Sequence, residues 1–174
     1  MCTEIEAKLK VDSIKQIEDR LKQLGAEFIE EQQQTDYYFD DENRTLTKAD
    51  KCLRLRREIV RNSETRFLTY KGPKQKDNYK KRKEIEIKIT TPDAVRKLLN
   101  ELGYKIACTV GKKRIIWKFQ NCIVALDSLP SLGSFVEIEG PDNRQIENVQ
   151  KKLELHNLKH ITQSYAELNE NKSL

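Results

Sequence analysis

The feature that most limits this chain is an alternation of apolar and ionised residues in nearly every extended segment. In a strand, residues two apart share a face. Near the start, Ile5, Ala7 and Leu9 share one face and Glu4, Glu6 and Lys8 the other. Leu53 and Leu55 alternate with Arg54, Arg56 and Glu58, and Leu68 and Tyr70 with Thr69 and Lys71. Ile85, Ile87 and Ile89 oppose Arg82, Glu84, Glu86 and Lys88. Lys112 and Arg114 oppose Ile115 and Trp117, Asp127 follows Leu126, and Val136 and Ile138 alternate with Glu137 and Glu139. An ordinary half-wet sheet explains alternation. It does not explain polar faces made of Glu, Asp, Lys and Arg, with Thr69 the main exception. Glu-Ile-Glu occurs three times, at 4–6, 84–86 and 137–139. Like carboxylates two apart on one face repel, and are tolerated where cations lie between them.

The alternating segments predict eight strands, at about 2–10, 27–39, 52–60, 66–72, 79–89, 104–118, 121–128 and 134–140. Three helices stand between them. Asp12-Ser13 caps a run carrying Ile14, Ile17, Leu21 and Leu24 and ending at Gly25. Thr91-Pro92-Asp93 starts a second with Val95, Leu98, Leu99 and Leu102, closed by Gly103, and Pro141-Asp142-Asn143 a third with Ile146, Val149 and Leu153. A fourth, short helix is expected at about 161–168. Asp40 to Lys51 and Gly72 to Asn78 read as loops. The pattern repeats: Glu84 lies 80 residues after Glu4, Gly103 78 after Gly25, and each half lays one helix on a sheet. Most connections are short, so most neighbours pair antiparallel. With 174 residues the chain reads as a single domain spanning 1–174, of two similar halves starting near 4 and 84.

Eight strands can close on themselves. The expected fold is α+β: a closed, mostly antiparallel eight-stranded β-barrel with helices packed outside. The apolar faces then turn outward and the charged faces inward. Such a wet, charged lumen suits a polyanion bound with divalent cations. Lysine and arginine grip phosphate oxygens, and clustered carboxylates hold Mg²⁺ or Mn²⁺.

Other classes fall away. No run approaches 18 apolar residues, so no membrane span is expected. The first residues carry no apolar leader segment, and Cys2, Cys52, Cys108 and Cys122 are scattered, which predicts reduced thiols in a cytoplasmic protein. Phosphate-binding glycine loops, dinucleotide fingerprints and serine-hydrolase elbows are absent from the sequence. His156 and His160 stand four apart without the glutamate of a zinc-protease motif and read as surface residues. The basic run Lys74, Lys76, Lys80, Lys81, Arg82 and Lys83 reads as a solvated loop. With Tyr79 as its one aromatic, it does not predict nucleic-acid binding.

In order along the chain, Glu4-Ile5-Glu6-Ala7-Lys8, Asp36-Tyr37-Tyr38-Phe39, Leu53-Arg54-Leu55-Arg56, Leu68-Thr69-Tyr70-Lys71-Gly72-Pro73, Arg82-Lys83-Glu84-Ile85-Glu86, Lys112-Lys113-Arg114, Leu126-Asp127 and Gly133-Ser134-Phe135-Val136-Glu137-Ile138-Glu139 form a recognisable set. The chain resembles the CYTH superfamily, the triphosphate tunnel metalloenzymes, and looks most like the class IV adenylyl cyclase branch. The resemblance implies a triphosphate, ATP among others, bound in the tunnel with Mg²⁺ or Mn²⁺. It makes Glu4, Glu6, Glu137 and Glu139 metal-ligand candidates with Asp127 beside them. Lys8, Arg54, Arg56, Lys71, Lys112 and Arg114 become phosphate holders, with Arg82 a further substrate-binding candidate. Glu4, Glu6, Lys8, Lys71 and Arg114 are the candidates for the catalytic set. The implied reaction is ATP to cyclic AMP and pyrophosphate. Hydrolysis of tripolyphosphate, thiamine triphosphate or a nucleoside triphosphate by the same residues is the alternative, and a non-catalytic polyphosphate- or RNA-binding barrel a second one. A homodimer is compatible with the sequence.

Overall fold

The alternating segments do form eight strands, in a computed structural model that describes residues 2–172. In chain order they are β1 (Cys2–Val11), β2 (Glu27–Asp40), β3 (Cys52–Val60), β4 (Ser63–Lys71), β5 (Lys80–Lys88), β6 (Lys105–Phe119), β7 (Cys122–Leu129) and β8 (Gly133–Glu139). They close into a barrel in the order β1-β5-β4-β3-β2-β6-β7-β8, each pair antiparallel. Exchanging the halves, so that β1 becomes β5, β2 becomes β6, β3 becomes β7 and β4 becomes β8, returns the same circular order. The sequence repeat is therefore a pseudo-two-fold axis of the barrel.

The helices are α1 (Ile14–Gln23), α2 (Thr45–Lys48), α3 (Pro92–Glu101), α4 (Asn143–Lys152) and α5 (Tyr165–Lys172). Ser13 caps α1 by accepting from the Gln16 amide, and Asp142 caps α4 by accepting from the Gln145 amide. Gly25 and Gly103 end α1 and α3 at φ of 72° and 86°, a region that glycine enters without a Cβ clash.

Two expectations need correction. The segment 40–51 is not all loop, because it holds α2. The Asp40 carboxylate organises that turn, accepting from the amides of Asp41, Leu46 and Thr47 and from the Thr47 hydroxyl. A turn built by one side chain has no hydrophobic period to announce it. The last helix begins at Tyr165, later than 161, because Ile161 is tied to the sheet through its amide to the Lys8 carbonyl at 2.8 Å. Ser164 and Glu167 then exchange backbone-to-side-chain hydrogen bonds in a capping box.

Burial follows the strand alternation. Ala7, Leu9, Trp117, Val124, Leu126, Val136 and Ile138 point outward into a core closed by Leu21 of α1 and Ile146 and Val149 of α4. Phe39, Leu55 and Leu99 form a smaller core under α3. The third cluster lies elsewhere. Val110, Leu129 and Phe135 occupy inward positions of their strands and pack with Tyr165 and Leu168 of α5. So α5 stoppers one end of the barrel, where β1, β2, β4 and β7 finish and β3, β5, β6 and β8 begin. Among the described residues, no helix is long and apolar enough to cross a membrane.

Core and surface positions of the paired helices should respond differently. Leu21→Ala is expected to cost about 2–5 kcal/mol in urea unfolding. Leu102→Ala, at the exposed C-cap position just beyond α3, should stay within about 0.5 kcal/mol.

Candidate active site

The inward faces surround a cavity of about 790 Å³, within the size range of small-molecule sites. Its walls carry Glu4, Glu6 and Lys8 from β1, Arg54 and Arg56 from β3, and Lys71 from β4. Lys80, Arg82, Glu84 and Glu86 come from β5, Lys112 and Arg114 from β6, Glu137 and Glu139 from β8, and Ser164 and Tyr165 from the C-terminal segment. Eight bases and six carboxylates thus line one space.

Two buried aspartates hold the bases in place. The Asp36 carboxylate accepts from Arg56 Nε at 2.6 Å and from its terminal nitrogen at 2.8 Å, with Arg54 at 3.6 Å. Burial alone would raise its pKa, but the Arg56 and Arg54 charges hold it far below the usual carboxylate range. Asp127 does the same on the other side. Arg114 grips it in bidentate fashion at 2.7 and 2.5 Å, Lys112 lies at 3.2 Å, and the Tyr165 hydroxyl donates at 2.8 Å. Asp127 is fully buried and does not line the cavity. Its oxygens already have three partners, so its geometry is that of an anchor for Arg114 and Lys112.

The lysines at this end are held at an energetic cost. Burial, then the Arg114 charge, lowers Lys112 to about 7, although Asp127 opposes the shift. Burial and Lys80 lower Lys8, although Glu137 lies 3.3 Å away. The Tyr165 ring lies against both ammonium groups, at 4.1 Å from Lys8 and 4.7 Å from Lys112. Glu137 bonds Arg114 closely. Burial would raise Glu137, but Arg114 and Lys8 keep it well below its ordinary range.

The other carboxylates differ. Glu4 pairs with Lys71 and Glu6 with Lys80, each at 2.6 Å, and Glu84 lies 3.1 Å from Lys71. Glu86 accepts from Thr69 at 2.8 Å and lies 3.8 Å from Arg54. Glu139 has no ion-pair partner among the described residues. Burial and the Glu4 and Glu6 charges push it up to about 7. Among the described residues, no three His, Cys, Asp or Glu side chains converge closely enough to hold a metal alone. The all-carboxylate donors Glu4, Glu6 and Glu139 nevertheless fit Mg²⁺ or Mn²⁺. These hard cations commonly take one or two carboxylates and complete their shell with substrate phosphates, and a cation here would relieve the crowding at Glu139.

All the candidates from the sequence except Asp127 line the cavity. Four participants were missed. Lys80 sits two residues before Arg82 on the same face, so the strand period could have shown it. Asp36 shares the parity of Gln34 and Tyr38 on β2 and was legible in the same way. Ser164 and Tyr165 carry no local signal, since they reach the tunnel only because the C-terminal segment folds back over it. Lys88, placed inward by the alternation, is exposed where β5 runs beyond its pairing with β1, although it still pairs with Phe67 of β4. Cys52, Cys108 and Cys122 are free thiols; Cys2 has no described side chain. His160 contacts Gln150 at 2.9 Å and Tyr79 ring to ring.

A family profile described as the CYTH domain matches residues 3–167. The chain belongs to the CYTH family. A Methanocaldococcus jannaschii protein provisionally named an adenylate cyclase is 36% identical over 136 residues, covering 78% of this CYTH chain and 75% of its own length. The solved structure of a Pyrococcus horikoshii protein superposes with a TM-score of 0.85 at 30% identity, covering 97% of this chain and 99% of that one. A Hippeastrum protein shares the CYTH fold at a TM-score of 0.75 and 16% identity, over 98% and 97% of the two chains. Its structure is described as that of an adenylyl cyclase candidate with a dominant triphosphatase activity.

The position of Glu139 gives a pH test. A carboxyl raised in the folded state binds more protons folded than unfolded, so it costs stability as pH rises from about 4 through about 7. Glu139→Gln should therefore raise the unfolding temperature of the ligand-free protein at pH 8 and change it little at pH 5. An equal effect at both values would show that crowding at Glu139 is not the cause.

Proposed function

We propose that this protein is a divalent-cation-dependent enzyme that holds ATP by its triphosphate inside the barrel and converts it to cyclic AMP and pyrophosphate. The observation that carries the triphosphate reading is the set Lys8, Lys112, Arg114, Arg54 and Arg56 around one cavity, where Lys112 is depressed to about 7. Burial and the neighbouring Arg114 charge disfavour the Lys112 ammonium, and a polyphosphate drawn in among these bases would offset both.

Arg54, Arg56 and Arg114 offer planar forks already oriented by Asp36 and Asp127, so little rotamer freedom is lost when they turn to phosphate oxygens. Lys8 and Lys112 add point charges. Arg82, held by Asp50 at 2.7 Å, and Lys71 extend the basic lining. Glu4, Glu6 and Glu139, with Glu137 next to them, would hold Mg²⁺ or Mn²⁺ together with phosphate oxygens. When bound, the cation would neutralise charge on the triphosphate and acidify a coordinated hydroxyl. Asp127 would serve by positioning Arg114 and Lys112. In the cyclase reaction the ribose 3′-hydroxyl gives up its proton, which ends on water or on the departing pyrophosphate, and its oxygen bonds to the α-phosphorus while the bond to the bridging oxygen breaks and pyrophosphate leaves. The bases that grip the β- and γ-groups stabilise that leaving group.

The cyclase reading rests on the name of the M. jannaschii relative and on the sequence runs 70–73, 82–86 and 133–139. A second reading, triphosphate hydrolysis, is favoured by the activity described for the Hippeastrum protein. The same walls serve both. What differs is which phosphorus lies beside the nucleophile, and misplacement of about 1 Å can change a rate a hundredfold.

Product identity decides. Incubation with ATP and Mg²⁺ or Mn²⁺ should give cyclic AMP and pyrophosphate on ion-exchange chromatography. ADP with orthophosphate, or rapid breakdown of tripolyphosphate without cyclic product, would move the protein to the second reading. No turnover of any triphosphate would sink both. The Lys112→Met variant separates binding from folding. It removes a charge that is costly in the folded state and leaves Asp127 paired to Arg114. Its thermal stability at pH 7 should hold or rise, while triphosphate affinity should fall about ten- to a hundredfold by calorimetry.

A further inference from the structure

Beyond Arg56 and Arg114 the inward faces change character. On β3 the next inward residue after Arg56 is Glu58, and on β4 Phe67 and Thr65 stand opposite Arg56 and Glu58. On β2 Gln34 pairs with Glu58 and Gln32 with Arg114. Gln32, Glu58, Thr65 and Phe67, with Lys88 at the end of β5, line a second cavity of about 730 Å³. It continues the first along two strands. Arg56 and Glu86 line the first, and Glu58 and Lys88, two residues on, line the second. This is the end of the barrel away from α5, where β3 and β5 finish and β2 and β4 begin.

The Phe67 ring is half-buried and belongs to none of the three apolar clusters. An aromatic ring turned into a cavity offers a flat apolar face to a ligand. Glu58 is held from one side. Gln34 Nε2 donates to its Oε1 at 3.0 Å, and Arg56 lies 3.8 Å from the same atom. Gln34 is buried and also donates to Gln32, which donates to Glu30 at 2.5 Å, so a chain of amides fixes the carboxylate. The Glu58 Oε2 is left to accept from a ligand. The charges lining this cavity balance, Glu30 and Glu58 against Arg61 and Lys88, so it lacks the excess of bases that the tunnel has for phosphate.

We propose that this mouth holds the base of a nucleoside triphosphate, with adenine lying on the Phe67 ring and its 6-amino group donating to Glu58. The assignment rests on the triphosphate reading above and goes beyond it, because it makes the chain select a nucleotide over bare tripolyphosphate. Since α5 closes the far end, a nucleotide enters with its terminal phosphate first. Its β- and γ-groups then reach toward Lys8 and Lys112, while its base stays beside Arg56, the strand partner of Phe67. Stacking holds any base by its π-face. The Glu58 carboxylate supplies the choice, since a base with a carbonyl in place of the amino group would set two acceptors together.

Calorimetry on the full chain in EDTA measures binding while the cation-dependent reaction is silent. ATP should bind at least about tenfold more tightly than purine riboside triphosphate, which is ATP without the 6-amino group. Glu58→Met should bring the two nucleotides to within about twofold of each other. Phe67→Ala should weaken ATP about tenfold and leave tripolyphosphate, which has no base to stack, within about twofold of the wild type. The comparison of the two nucleotides on the wild type depends on no variant folding. Equal binding of ATP and purine riboside triphosphate by the wild type would overturn the proposal. So would equal losses of ATP and tripolyphosphate affinity in Phe67→Ala. Either result leaves the triphosphate reading standing. A wild type that binds neither ATP nor tripolyphosphate would remove that reading and this one with it.

Discussion

Bringing several arginines and lysines into the interior of a barrel is possible here because two aspartates are buried with them. Asp36 and Asp127 lie deep in the wall, each accepting from a bidentate guanidinium and each with a second base at hand. Desolvation of both partners opposes such pairs, and loss of one partner typically costs about 3–5 kcal/mol because a bare charge stays behind. The outer cores under α1, α3 and α4 must supply the stability that the lumen does not. The barrel is thus inverted relative to a small soluble one. Its apolar faces look outward to helices, and its ionised faces look inward to a cavity.

The charges are also sorted across the tunnel. Glu4 and Glu6 stand on β1, Glu84 and Glu86 on β5, and Glu137 and Glu139 on β8, three strands that are neighbours in the barrel. Arg54, Arg56, Lys71, Lys112 and Arg114 stand on β3, β4 and β6. Lys8, Lys80 and Arg82 interrupt the acidic wall, and Lys80 restrains Glu6. A transverse field of this kind would suit the proposed function: phosphate oxygens of a bound anion would turn to the basic wall and its cation to the acidic one.

Strand period carried nearly all of this in the sequence. The side of each strand on which Arg54, Arg56, Lys71, Lys112, Arg114 and the Glu-Ile-Glu runs fall is fixed by alternation, and the structure keeps that alternation through a closed sheet. Information that is not periodic was lost. Asp40 builds α2 by side-chain hydrogen bonds, and Tyr165 reaches Asp127 from 38 residues further on. Asp127 shows a different limit. Its inward direction could be read, but its saturation by Arg114, Lys112 and Tyr165 depends on three side chains from two other elements. Lys80 falls inside the strand expected at 79–89, yet it reads with the basic run around it as solvated, because a cluster of lysines looks alike in a turn and at the start of a strand.

Because Lys71, Lys80, Arg56 and Arg114 each already have a carboxylate partner, a phosphate chain entering the tunnel would trade contacts with the walls more than fill bare ones. Glu4, Glu6 and Glu137 would then act as internal competitors for the bases that a phosphate ligand needs. Competition of that kind would lower the net affinity for every phosphate species, and would hasten departure as well as oppose arrival. Under the proposed function, a leaving phosphate or pyrophosphate would give up its cations to carboxylates that wait a few ångströms away, and the walls would close their own ion pairs behind it. A tunnel lined with free arginines would bind its first substrate tightly and keep its first product.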